Sequence, residues 1–138
     1  MKTTPRITLM ALAAGSLLLL APAPAQAATA SLVGISDGAL MGEGVVLTTT
    51  LTYTCDVGSI GGAAINVVQR SGRQTASAFQ GTNSVPCTGE PQAFELVLTT
   101  QNLVFTEGTA IAVVTLYPCD ATSCANFTYA EEIELTEG

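Results

Sequence analysis

The 138-residue chain sets four Lys and Arg against eleven Asp and Glu, contains no His and no Trp, and is 48% hydrophobic. So acidic a chain lacks the basic clusters with which proteins neutralise phosphate backbones or anionic lipid, so neither nucleic acid nor a membrane surface is an expected partner. Without His, the usual general base, imidazole metal ligand and physiological pH switch are also missing.

Residues 1–27 read as an export signal. Lys2 and Arg6 precede an apolar run over 7–20, and Ala25-Gln26-Ala27 has the small-x-small form of a cleavage site. The run is shorter than the roughly 20 residues a membrane helix needs, and no comparable stretch follows, so no membrane insertion of the mature chain is expected. The expected product is secreted and extracellular, one domain over residues 28–138. It keeps only Arg70 and Arg73 against eleven acids, a formal charge of −9, and has no Lys for Schiff-base or phosphate chemistry.

Residues 30–35 read as a first strand, with Ser36-Asp37-Gly38 and Gly42-Glu43-Gly44 as turns. Over 45–55, Val45, Leu47, Leu51, Tyr53 and Cys55 share one parity, and Val46, Thr48, Thr50, Thr52 and Thr54 the other. This period of two predicts a strand with one buried face. Asp56-Val57-Gly58 and Gly61-Gly62 supply turn chemistry before a strand over 63–69. Ser71-Gly72-Arg73 then turns into a weaker strand, 74–79. Residues 81–84 are expected to break that strand, and Val85-Pro86-Cys87 to form a short edge segment, because Pro donates no ladder bond.

Residues 92–99 place Phe94, Leu96 and Leu98 on a core face. The link 100–109 carries Leu103, Val104 and Phe105, which are expected to tuck beneath it as it crosses the end of a sandwich. Residues 110–117 are apolar on both parities, as expected for a central strand covered on both faces or simply for a chain rich in small residues. In the last strand Phe127, Tyr129, Ile133 and Leu135 alternate with polar residues. Glu131 falls on the apolar parity and predicts a bulge or an exposed strand end. Seven or eight short strands without a helix predict an all-β, immunoglobulin-like Greek-key β-sandwich of antiparallel strands with two disulfides. An up-and-down barrel is the alternative closure.

Cys55, Cys87, Cys119 and Cys124 read as two disulfides, since an exported chain meets an oxidising medium. Four cysteines allow three pairings, among which sequence does not choose. The expected one is Cys55 with Cys87, tying distant parts of the sheet, and Cys119 with Cys124, across the mouth of a hairpin.

Catalytic equipment is sparse. Ser or Cys nucleophiles have no His base, and Glu131, Glu132 and Glu134, though close in sequence, alternate in facing and have no deep sugar cleft to flank. Asp37, Glu43, Asp56, Glu107 and Asp120 occupy expected loops but follow no calcium-loop pattern and read as a solvated rim. Asn126-Phe127-Thr128 matches a glycosylation triplet and is read as ordinary strand. No enzymatic activity, metal or cofactor is expected.

The strand ending Leu51-Thr52-Tyr53-Thr54-Cys55-Asp56, the later Pro86-Cys87-Thr88-Gly89 and the C-terminal Cys-Asp-x-x-x-Cys hairpin resemble the small secreted immunoglobulin-like proteins of actinobacteria, many of them domains of unknown function. That resemblance implies a fold and a habitat, with no shared activity. A weaker resemblance, carried by acidity and the Cys119–Cys124 spacing, is to apo-chromoproteins of the neocarzinostatin type. There the first two cysteines lie close together, unlike Cys55 and Cys87. The expected function is a non-enzymatic binding or structural module with an extracellular protein or small molecule as partner. Its candidate contact loops hold Asp56, Gly58, Gly61 and Gly62, and Asp120, Thr122 and Ser123. The alternatives are a small-molecule carrier, or an adaptor subunit of a secreted assembly that uses the segment from Ala28 as an added strand.

Overall fold

The computed structural model describes residues 28–58 and 60–138. The expected export signal and cleavage site lie outside the described residues, as does Ser59 of the first candidate loop. The chain forms β1 (Ala30–Ile35), β2 (Gly38–Met41), β3 (Val46–Cys55), β4 (Ile60–Ser71), β5 (Gln74–Val85), β6 (Gln92–Thr99), β7 (Gly108–Cys119) and β8 (Phe127–Glu137). Among the described residues no helix is long and apolar enough to cross a membrane.

Strand β3 organises one half of this sandwich-like fold. Its C-terminal half pairs with β1 and its N-terminal half with β2 along one edge, and β6 runs along the other from Val46↔Thr99 to Tyr53↔Gln92. The other half is the antiparallel series β8, β7, β4, β5. Strand β2 joins the halves, because it also pairs in parallel with β8, Gly38 opposite Leu135. The sheet is therefore mixed, which corrects the expectation of purely antiparallel strands.

The crossing takes two residues. Ser36 stays bonded to β3, its N–H donating to the Thr50 carbonyl at 2.9 Å and its hydroxyl accepting from the Thr50 N–H at 2.8 Å. Asp37 already belongs to β8, its Oδ1 accepting from the Glu134 N–H at 3.0 Å. Gly38 then begins β2 where only a missing side chain fits. A Cβ there would lie 2.5 Å from Leu47 Cδ1 and 2.6 Å from Leu135 Cδ2. The expected turn at 36–38 is thus a strand-to-strand step.

Alternation builds the core. Leu47, Leu51 and Tyr53 of β3 meet Ile65 and Val67 of β4, Val114 and Leu116 of β7, and Ile133 and Leu135 of β8 in one buried cluster. Two polar residues share that interior with their hydrogen bonds made, as burial demands. The Thr49 hydroxyl donates to the Ser36 carbonyl at 2.8 Å. Gln69 brackets the backbone of Thr106, its Nε2 donating to the carbonyl at 2.7 Å and its Oε1 accepting from the N–H at 2.9 Å. Gln69 so anchors the link between β6 and β7, from which Phe105 is buried in the core while Val104 stays exposed.

Five local expectations change. Strand β5 runs unbroken to Val85, because polar side chains cost little on an edge strand and β4 supplies partners as far as Gly61↔Val85; Pro86 and Cys87 lie beyond its end. Gly61 and Gly62 belong to β4. Strand β7 buries one face only; its other apolar face carries exposed Ile111 and Tyr117. The β7–β8 ladder passes Glu131↔Ala112 with no bulge, since half-burial at the sheet margin tolerates a carboxylate. The segment from Ala28 is not a spare strand, because β1 is already paired with β3.

Candidate functional site

Both disulfides sit at one end of the sandwich. Cys55 and Cys87 are bonded with Cα atoms 4.9 Å apart, and Cys119 is bonded to Cys124, the pairing the spacing suggested. The pair Ile60↔Cys119 sets the β3–β4 loop beside the β7–β8 loop, and the Gly89 N–H donates to the Cys55 carbonyl at 3.0 Å, which adds the β5–β6 link. Tyr53 reinforces this end from below, its hydroxyl donating to the Pro86 carbonyl at 2.7 Å. Burial pushes the Tyr53 phenol above its ordinary value.

The two candidate loops are therefore neighbours in space. In the β7–β8 loop Asp120 organises its own turn. Its Oδ1 accepts from the N–H of Thr122 at 2.8 Å and of Ser123 at 2.7 Å, and from the Thr122 hydroxyl at 3.0 Å. These donors hold the Asp120 carboxyl below the usual aspartate value of 3.8. A lowered pKa means the bonds hold fully above that value and are lost as pH falls through the lowered one. The amides of Thr122 and Ser123 are expected to lose hydrogen-exchange protection only below pH 3.8, with the strand ladders still intact; protection that persists through acid would contradict this.

In the β3–β4 loop Asp56 accepts from the Thr29 N–H at 2.8 Å, and Gly58 turns the chain at φ +82°. Gly61 faces inward, where a Cβ would meet Val85 Cγ2 at 2.7 Å and Cys87 Sγ at 3.2 Å. Gly62 faces outward and floors a shallow depression of about 190 Å³ walled by Tyr117, Asn83 and Cys119. Beside it β5 carries an extra residue, since Gly61 pairs with Val85 but Ala63 with Thr82, and the resulting bulge opens the floor. A second depression of about 180 Å³, between Thr29, Asp56 and Gly89, lies at the same end.

From the Tyr117 depression an apolar strip extends across the outer face of β7, β4 and β5. Register puts Val113 beside Asn66 and Asn66 beside Phe79, and sets Ile111 beside Val68. Phe79, Ile111 and Tyr117 are 53, 42 and 40% exposed. None of the three was among the expected site residues. Their signal was the apolar character of 110–117 on both parities, read as double burial when one side faces solvent.

Two further loop carboxylates accept from backbone N–H groups. Asp37 accepts from the Glu134 N–H, and Glu107 from the Glu137 N–H at 3.2 Å. Among the described residues no three acidic or Cys side chains converge as metal ligands would. Glu134 accepts from the Thr109 hydroxyl and sits on an open strand face. No family model and no curated protein matches the chain.

Proposed function

We propose that this protein is a secreted, non-enzymatic binding module with an immunoglobulin-like Greek-key topology, and that its contact surface is the disulfide-bearing end together with the adjoining outer face of β7, β4 and β5. The topology reading is supported by β2, which is shared between the halves, antiparallel to β3 and parallel to β8, with β6 pairing along the other edge of β3. Two disulfides in the chain fit an oxidising extracellular medium. One observation carries the functional reading: both disulfides, both depressions and the two loops converge on one end. Cross-links there stiffen the loops before binding, and pre-ordered groups lose less entropy on association.

The partner side of this reading rests on Tyr117 and Phe79, since exposed aromatics beside a groove are the residue types that dominate interface energies. Protein immobilised through its C-terminus is expected to retain a component of its native culture fluid that Tyr117→Ala and Phe79→Ala proteins hold about tenfold less tightly, a difference of about 1.4 kcal/mol. A Thr50→Ser change, on β3 in the other half of the fold, should leave retention unchanged. Equal retention by all three variants, or none by the native protein, would refute the proposed surface.

The glycine-floored groove favours one second reading, a carrier of a small apolar molecule that lies flat against Tyr117. Native mass spectrometry of protein from its own source separates the two. A constant added mass supports the carrier, and an unliganded mass leaves the protein partner.

A further inference from the structure

Along the outer face of β5, β4, β7 and β8 the charges stand at one end only. The outward positions Gly62, Ala64, Asn66 and Val68 of β4, and the alternate positions from Ile111 to Tyr117 of β7, are uncharged. Arg70 lies two residues beyond Val68, and Glu132 and Glu134 lie exposed on β8, all three toward the end remote from the disulfides. Register sets them in order. Val68 is opposite Ile111, so Arg70 is level with Thr109, and Thr109 is paired with Glu134. The Thr109 hydroxyl donates to Glu134 Oε1 at 2.6 Å, which turns that carboxylate inward toward β7.

Large and small side chains are distributed in the same self-matching way. Phe79, Asn66, Val113 and Ala130 form one row across the four strands, so this row has a phenyl ring at its β5 edge and a methyl at its β8 edge. In another row Gly62 adjoins Tyr117, a bare backbone beside a ring. A two-fold axis parallel to the strands and midway between β4 and β7 lays β4 of one copy over β7 of another, and β5 over β8, with every row on its own level. Phe79 then meets Ala130, Tyr117 meets Gly62 and Arg70 meets Glu134, each contact made twice. An axis across the strands would instead set Arg70 over the uncharged row of Gly62 and Tyr117.

We propose that this outer face joins two copies of the chain, packed face to face about a two-fold axis parallel to the strands. Four strands about 4.8 Å apart, with ladders of about nine residues rising about 3.4 Å each, present a face of roughly 19 by 30 Å, so pairing would bury roughly 1,100 Å² in all. That reaches the roughly 1,000 Å² a specific contact needs. The inference rests on the reading of the outer face as a contact surface and names a second copy as what covers it. The loops of the disulfide end stay exposed for a different partner.

Sedimentation velocity of the purified protein, run as a concentration series, is expected to show reversible doubling of mass in the micromolar range, as a contact of this size allows. Ala130→Arg, at an exposed strand position, is expected to raise the dissociation constant more than about tenfold, because it sets a charge beneath Phe79 of the second copy. Arg70→Glu is expected to raise it about tenfold, and Arg70→Glu combined with Glu134→Arg to bring it back to within about threefold of the native value. Circular dichroism first confirms that each variant is folded. A monomer at every concentration up to about 1 mM, or a dimer indifferent to Ala130→Arg, would overturn the proposal. A folded charge-swapped variant that fails to regain association would overturn the axis. Purified protein that stays monomeric yet retains a component of its culture fluid overturns the second copy alone, whereas protein that dimerises and retains nothing else overturns only the reading of a different partner.

Discussion

Replacing Cys55 and Cys87 together with Ala is expected to lower the stability of the folded chain by about 3.7 kcal/mol, the chain-entropy value for closing a loop of this length. Replacing Cys119 and Cys124 should cost about 2.2 kcal/mol, because the five-residue separation restricts the unfolded chain far less. The first loss corresponds to a fall of about 15 °C in the melting midpoint, and denaturant titration of both double variants measures the order directly. Position adds to the inequality. Cys55 ends β3 at the core and Cys87 Sγ packs toward Gly61, so that bond ties β3 to the segment leading into β6 and supports the floor of the Tyr117 depression. The Cys119–Cys124 bond closes a loop that Asp120 already orders through four hydrogen bonds. Equal costs, or a larger cost for the shorter loop, would show that the β3 cross-link is not the main covalent support.

Gly44→Ala is expected to cost about 3 to 5 kcal/mol, as much as loss of a large core side chain. Residues Gly42, Glu43 and Gly44 turn between β2 and β3 at φ of +59, +58 and +84°, and Gly44 is buried. A Cβ on Gly44 would fall 2.0 Å from the Phe105 carbonyl oxygen, while the Phe105 N–H donates to the Gly44 carbonyl at 2.9 Å. The added methyl must therefore push away the segment that carries Phe105 into the core. Glu43→Gly in the same turn should move stability the other way by about 1 kcal/mol, since an L side chain is disfavoured at positive φ. Denaturant midpoints of the two variants, opposite in sign, check both statements. A neutral Gly44→Ala would mean that the Phe105 segment is not seated as described.

Much of the strand pattern could be read along the chain because burial follows parity in strands with one wet face. Leu47, Leu51 and Tyr53 of β3, and Leu96 and Leu98 of β6, stand in the core where alternation put them. The cysteine pairing was legible for a related reason, since a hairpin mouth and two separated strand ends are the arrangements that short and long spacings favour. The polar second half of β5 escaped notice because an edge strand with a strong neighbour needs little propensity of its own. Strand β2 was lost inside apparent turns, because four residues display too little periodicity to announce themselves.

The candidate site divides in the same way. Asp120, Thr122 and Ser123 were visible as a polar turn between two cysteines, and their bonds are local ones. Tyr117, Phe79 and Ile111 were not, because whether an apolar residue on the second face of a strand is covered depends on what the chain lays over it, and no other element lies there among the described residues. By itself the sequence determined an all-β chain with two disulfides, an alternating core and turns at Gly42-Glu43-Gly44 and Ser71-Gly72-Arg73, since each follows from contacts between near neighbours or from side-chain parity. Tertiary structure alone decided the parallel β2–β8 pairing, the gathering of both disulfides and both loops at one end, and the approach of Thr29 to Asp56. Those depend on which distant segments meet, and backbone hydrogen bonds between strands leave no mark on the order of side chains that make them.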